Sequence, residues 1–126
     1  MFLRTMSTQE TADRLVMFCR SGQYHDAVDH LYHADIVSVE SAGPPGVPLE
    51  QKGIQAIKGK VKWWEETFQV HGGMVSDPIV SGEFFVVKMT LDVTNKHTAT
   101  REFMSELCVY QVKEGKIVHE RFVYGA

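Results

Sequence analysis

Three features of the chain predict an α+β fold, with three N-terminal helices packed in a strongly curved, mostly antiparallel sheet. The first third carries apolar residues at helical spacing. A later apolar stripe, Ile54, Ile57, Val61, Trp64 and Phe68, repeats the helical period. The last forty or so residues alternate like strands and close on a tight hairpin, Glu106 to Phe122, whose Gly115 sits where a left-handed residue is needed. Helices first and a sheet afterwards is the α+β order. The 126 residues make one domain, 1–126.

The elements follow in order. Ser7-Thr8-Gln9-Glu10 has the form of a capping box. The helix behind it places Ala12, Leu15, Val16 and Cys19 on one side and stops at Ser21-Gly22. A short second helix runs from about Tyr24 to Tyr32, and a short strand from Ile36 to Ser41. Gly43-Pro44-Pro45-Gly46 is a loop, because proline fixes φ and removes a donor; it is a rim loop or a lid. The third helix spans about Ile54 to Val70, with Lys58, Lys60, Lys62, Glu65 and Glu66 on its wet face and Gly72-Gly73 as its stop. Strands are expected over roughly Met74–Ser81, Phe84–Thr94, Thr100–Val112 and Ile117–Tyr124.

A three-residue turn, Lys113-Glu114-Gly115, would set Val112 against Lys116, Tyr110 against Val118, Cys108 against Glu120 and Glu106 against Phe122. These share a face with Met104 and Tyr124, and with Phe85, Val87, Met89, Leu91 and Val93 of the preceding strand. The apolar character of that last set marks the concave face, against the third helix. A two-residue turn would instead bring His119 and Arg121 inward and make a cationic pocket for an acidic ligand. Phe103, Leu107, Val109, Ile117 and Val123 fall on the convex face. With no spare helix to cover them, a homodimer through that face is expected.

Charge and composition bound the partners. A net charge of -3 gives no footprint for nucleic acid or an anionic membrane surface. No apolar run could span a bilayer, and Met1-Phe2-Leu3 is too short for an export signal. Cys19 and Cys108 have no paired-ligand spacing and read as reduced, buried residues of a cytoplasmic protein.

Glu106 and Glu120 are the candidate catalytic groups: carboxyls on an apolar face must be paired, hydrated or protonated, and two of them can divide acid and base roles. Tyr110 and Tyr124 offer hydroxyls, and Trp64, Met89, Cys108 and Phe122 complete the expected substrate wall. Glu102 lies nearer the rim. His25, His30, His33, His71, His97 and His119 form no metal pattern beyond the weak three-residue spacing of His30 and His33, so neither metal nor cofactor is expected.

Leu31-Tyr32-His33-Ala34-Asp35, then Val37-Ser38-Val39-Glu40, the Pro/Gly loop, Gly53-Ile54-Gln55-Ala56-Ile57 and the terminal Glu-Gly-Lys-Ile-Val run resemble the SnoaL-like branch of the nuclear transport factor 2-like superfamily. The resemblance covers Thr8 to Tyr124 and implies a cystatin-like cone. It also implies chemistry to be tested residue by residue. The ketosteroid isomerase positions fall at Ser41, near Leu15 and near Cys108, none with the required chemistry. The acidic residue that SnoaL-type cyclases carry on the final strand has Glu120 as its nearest match. The His, Asp and Arg sets of scytalone dehydratase and limonene epoxide hydrolase find His119, Arg101 and Arg121 here, with His119 and Arg121 expected on the convex face.

The residues support three readings. One is an acid/base isomerase, lyase or cyclase acting on a hydrophobic oxygenated metabolite. The others are a non-catalytic pocket for such a molecule and a homodimeric interaction module.

Overall fold

The computed structural model describes residues 4–125; the Met1-Phe2-Leu3 segment lies outside them. Helix α1 (Thr8–Arg20) begins at the expected capping box. Ser7 Oγ accepts from the Glu10 N–H, and Glu10 Oε1 accepts from the Ser7 N–H. Helix α2 (Tyr24–Leu31) runs directly into strand β1 (Tyr32–Val39), which therefore starts four residues before the expected Ile36. A three-residue strand β2 (Glu50–Lys52), unforeseen from the sequence, returns across the Pro/Gly loop. Helix α3 (Ile54–Thr67) follows.

Gly72-Gly73 does not end α3. The helix stops at Thr67, and β3 (Phe68–Val75) begins at once, with both glycines inside it beside a bulge opposite β5 (Phe84–Asn95). A Cβ on Gly73 would lie 2.4 Å from the Thr90 carbonyl oxygen, whereas one on Gly72 would meet nothing within 4 Å. Gly73 is thus present for close backbone approach, not for helix termination. The expected strand from Met74 to Ser81 is two strands, β3 and the short β4 (Ile79–Ser81). Strands β6 (Arg101–Lys113) and β7 (Lys116–Val123) complete the chain.

The sheet order is β2-β1-β7-β6-β5-β3, with β4 also paired to β5. Among the described strands, β1 and β7 are the one parallel pair. All three helices precede or interrupt the early strands and pack on one face of this curved sheet. The buried core joins Ala12, Leu15, Val16 and Cys19 of α1 to Phe85, Val87, Met89, Cys108 and Tyr110 of the sheet. Helix α3 buries Ile57 fully, with Ile54 and Val61 packed at the edge of the same core. Hence α1 takes a larger share of the concave face than the α3 stripe implied, and the space under α3 stays open.

The β5–β6 register matches the expected inward set: Phe85 pairs with Tyr110, Val87 with Cys108, Met89 with Glu106 and Leu91 with Met104. The β6–β7 hairpin differs. Its turn has two residues, Glu114 and Gly115, at φ +50° and +74°, and Lys113 pairs with Lys116. Such a turn alone would bring His119 and Arg121 inward. Val118 prevents this, because it is an unpaired bulge residue: Val112 pairs with Ile117, but Gln111 pairs with His119. The extra residue flips the face back.

Tyr110 therefore faces Glu120, and Cys108 faces Phe122. The partners sit two residues from the expected ones, and an even slip preserves the side. Ile117 is the exception to the expected convex set, being fully buried in the core. Of the others, Phe103, Leu107 and Val123 are 81%, 45% and 44% exposed, and Val109 is half-buried. No described helix is long and apolar enough to cross a membrane.

The Gly73 contact yields a paired test. Gly73→Ala should lower unfolding stability by about 2 kcal/mol or more through overpacking against backbone. Gly72→Ala, one residue away, should change it by less than about 1 kcal/mol. Urea unfolding of the two variants checks the difference.

Candidate active site

Between α2, α3 and the inner ends of β5, β6 and β7 lies a cavity of about 820 Å³. Its wall is mainly apolar and aromatic, including Tyr24, Trp63, Trp64, Phe68, Tyr110 and Phe122. Trp64 and Phe68 rings lie 4.5 Å apart, and Tyr110 stacks on Phe85 at 4.7 Å. Aromatic walls of this kind bury large ligand surfaces at little entropic cost.

Strand alternation and the Val118 bulge place Glu120 inside this wall, 2% exposed. The parallel β1–β7 register then sets Ser38 directly beside it. Ser38 Oγ donates to Glu120 Oε1 at 2.8 Å, and the Tyr32 hydroxyl donates to Glu120 Oε2. From α3, Lys60 Nζ donates to Ser38 Oγ at 2.8 Å and pairs with Glu40 Oε1 at 2.6 Å. The same ammonium lies 5.2 Å from the centre of the Phe122 ring. Burial pushes the Glu120 carboxyl up from its ordinary value, against the opposing pull of Tyr32, Ser38 and Lys60. Each hydrogen bond to a charged group offsets about 1.5–3 kcal/mol of the cost of burying the carboxylate.

Glu106 has a different environment. It lies two residues along β6 from Cys108, on the same face, and its neighbours across the ladder are Met89 and the end of β7. Among the described residues its one side-chain hydrogen-bond partner is the Cys108 thiol, at 3.6 Å. Burial, with little compensation, pushes its carboxyl up to about 7; Glu40 and Glu120 add repulsion. At neutral pH this group is divided between its two protonation states, which suits a general acid or base.

Both glutamates, Tyr110, Tyr124, Trp64, Met89 and Phe122 lie in the cavity wall. Cys108 lies behind Glu106, fully buried, and forms no part of the cavity surface. Tyr124 closes the mouth. Its hydroxyl is 2.7 Å from the Ala42 carbonyl and 3.0 Å from Glu40 Oε2, which ties the end of β7 to the start of the Pro/Gly loop. Ala42, Pro44, Val47 and Leu49 of that loop form the rim, and Glu102 is at its exposed edge.

The sequence reading missed Tyr32, Ser38, Glu40 and Lys60. By periodicity Tyr32 falls at the end of a helix and Lys60 on the wet face of α3. Lys60 is instead folded into the cavity wall, its side chain 21% exposed. One signal was present: Ser38 and Glu40 alternate on a strand with Ile36, which puts polar groups on a core-facing side. Arg121 points outward and His119 is half-buried on the same outer side. His30 stacks on Phe18 at 5.8 Å, and His33 Nδ1 accepts from the Asp35 N–H at 3.0 Å. Among the described residues, no three His, Cys, Asp or Glu side chains form a metal-type ligand set.

The Glu106 environment carries a stability cost with a definite pH window. Its carboxyl titrates at about 7 in the fold against 4.5 as an ordinary glutamate. The folded state therefore holds the extra proton between those values, and stability falls as pH rises through them. Glu106→Gln should be more stable than the parent at pH 8, by on the order of 3 kcal/mol, and should show no such gain at pH 4. Thermal melts across that range measure it.

The chain was compared with known proteins. Residues 6–124 match the family model described as SnoaL-like domain. No curated protein sequence matches. A crystal structure from Mesorhizobium loti, named as a candidate SnoaL-like polyketide cyclase, is 36% identical, with a TM-score of 0.88 over 94% of this chain and 100% of that one. A candidate isomerase from Bacillus subtilis is 17% identical, with a TM-score of 0.76 over 93% of this chain and 88% of that one. A Xanthomonas campestris protein of unknown function with a cystatin-like fold is 15% identical, with a TM-score of 0.77 over 96% and 92%. The last two speak to the fold. With the cone-shaped sheet, the interior carboxyls and a family match over nearly its whole length, the chain belongs to the SnoaL-like domain family.

Proposed function

We propose that this domain is a proton-transfer enzyme of the cyclase or isomerase type, acting on a hydrophobic, oxygenated small molecule. One observation carries the reading: Glu106 sits in an aromatic cavity, makes no direct ion pair among the described residues, and has its carboxyl raised by burial to about 7 against the weaker pull of Lys60. A base of that strength can take a proton from a carbon beside a carbonyl at neutral pH. Glu120, held in the same wall by Tyr32 and Ser38, supplies the proton for the carbonyl oxygen. The enol so formed either regains its proton at another carbon or attacks a second carbonyl of the same molecule. The first outcome is isomerisation and the second ring closure. The 36% identity to a candidate polyketide cyclase supports this class of reaction.

Exchange of carbon-bound hydrogen in heavy water provides the test. With a panel of aryl ketones and diketones, the protein should catalyse loss of the signal from protons beside the carbonyl. The rate should rise with pH through about 7 as Glu106 ionises, and Glu106→Gln or Glu120→Gln should reduce it about 10²–10⁴-fold with the fold intact. Trp63 and Trp64 line the cavity, so their fluorescence reports binding independently. Ketones that quench this fluorescence without any exchange would favour the non-catalytic pocket.

We further propose that a second copy of the chain covers the outer sheet face around Phe103, Leu107, Val109 and Val123. Phe103 is largely exposed and Leu107 and Val123 nearly half so, and contiguous apolar area of several hundred Å² is uncommon on monomers. Light scattering at micromolar concentration should give about twice the 14.3 kDa chain mass. Phe103→Glu with Leu107→Glu should return it to the mass of one chain.

A further inference from the structure

We propose that Tyr32 presents the acidic proton to the ligand oxygen, with Lys60 as the positioning residue that sets the direction of the hydrogen bonds behind it. The inference rests on the proton-transfer reading and refines its acid.

The argument is one of donors and acceptors. An ammonium has three protons and no lone pair. Lys60 Nζ gives one to Glu40 Oε1 at 2.6 Å and one to Ser38 Oγ at 2.8 Å, and it faces the Phe122 ring at 5.2 Å. Ser38 must therefore accept from Lys60, and its single hydroxyl proton is left for Glu120 Oε1, 2.8 Å away. That oxygen is thereby an acceptor. When Glu120 is neutral its proton sits on Oε2, where its partner is the Tyr32 hydroxyl. Tyr32 then accepts from Glu120, and its own proton is free to point into the cavity that its side chain lines. Glu120 itself is 2% exposed, with both oxygens engaged, and has little access to a ligand.

The proton count balances. The Tyr32 proton passes to the ligand oxygen, and the Glu120 proton passes from Oε2 to the Tyr32 oxygen. Glu120 is left as a carboxylate accepting from both Tyr32 and Ser38, with Lys60 behind Ser38. Glu106 holds the proton taken from carbon, and the second half of the reaction returns both protons. The ionisable groups around Glu120 come from four elements and one loop position: Tyr32 on β1, Glu40 just past its end, Lys60 on α3, Glu106 and Tyr110 on β6, and Cys19 on α1. Among the described residues Lys60 is the one cation in the cavity wall, and its donation to Ser38 favours this order.

The experiment uses ligand-free protein labelled with ¹³C at glutamate Cδ and tyrosine Cζ, titrated by NMR. In the parent, the Tyr32 Cζ signal should shift with the same midpoint as Glu120 Cδ. Lys60→Gln brings an amide oxygen that can accept from Ser38 and reverse the chain. There the Tyr32 shift should fall by about half or more, and the Glu120 midpoint should rise by about one pH unit. Lys60→Arg, a donor without an acceptor, should retain the parent's coupling. A Tyr32 signal indifferent to the Glu120 titration in the parent, or unaltered in Lys60→Gln, overturns the proposal. Intact coupling without hydrogen exchange on any ketone would count against the enzyme reading alone. Exchange that needs Glu106 but survives Tyr32→Phe would count against this inference alone.

Discussion

Val118 has no partner across the β6–β7 ladder, and the placing of Glu120 inside the cavity depends on that. The two-residue Glu114-Gly115 turn sets a register in which β7 would present His119 and Arg121 to the interior. The bulge adds a residue, so Ile117 and Glu120, three apart, both face inward. A bulge keeps the ladder on either side of it while exchanging the faces of the strand. Without it the cavity would hold His119 where it now holds Glu120, and Ser38 and Tyr32 on β1 would have no carboxyl to bond.

The two interior carboxyls show two ways of meeting the same cost. Moving a carboxylate out of water carries a penalty of several kcal/mol. At Glu120 the penalty is opposed by two hydroxyl donors and a lysine one atom further back. At Glu106 it is mostly left standing, and the group answers by holding its proton up to about pH 7. The first arrangement gives a fixed, directional group; the second gives one whose charge changes readily near neutrality. Proteins commonly give up stability at sites that must react, and under the proposed proton-transfer role Glu106 is such a place. Cys108, packed behind Glu106 and itself raised by burial, supplies only a weak donor.

The sequence by itself determined the class of the fold, the capping box of α1, the left-handed Gly115 and the inward set on β5 and β6. Each of these follows from local conformational preference or from the period of apolar residues, and both act over a few positions. It also put Glu106 and Glu120 on the interior face, the second through a slip of two residues that strand alternation forgives. Tertiary structure alone decided that Gly72 and Gly73 belong to a strand, because the reason for Gly73 is the Thr90 carbonyl across the ladder, seventeen positions away. It alone turned Lys60 from the wet face of α3 toward Glu40 and Ser38, since a long flexible side chain follows whichever partner folding brings near. The inward turn of Ile117 has a related cause: a bulge leaves no mark in hydrophobic periodicity, being fixed only when β7 pairs with β6 and β1 together. The chemistry of the cavity depends on these pairings between distant segments, and so it became readable only once the sheet had closed around the helices.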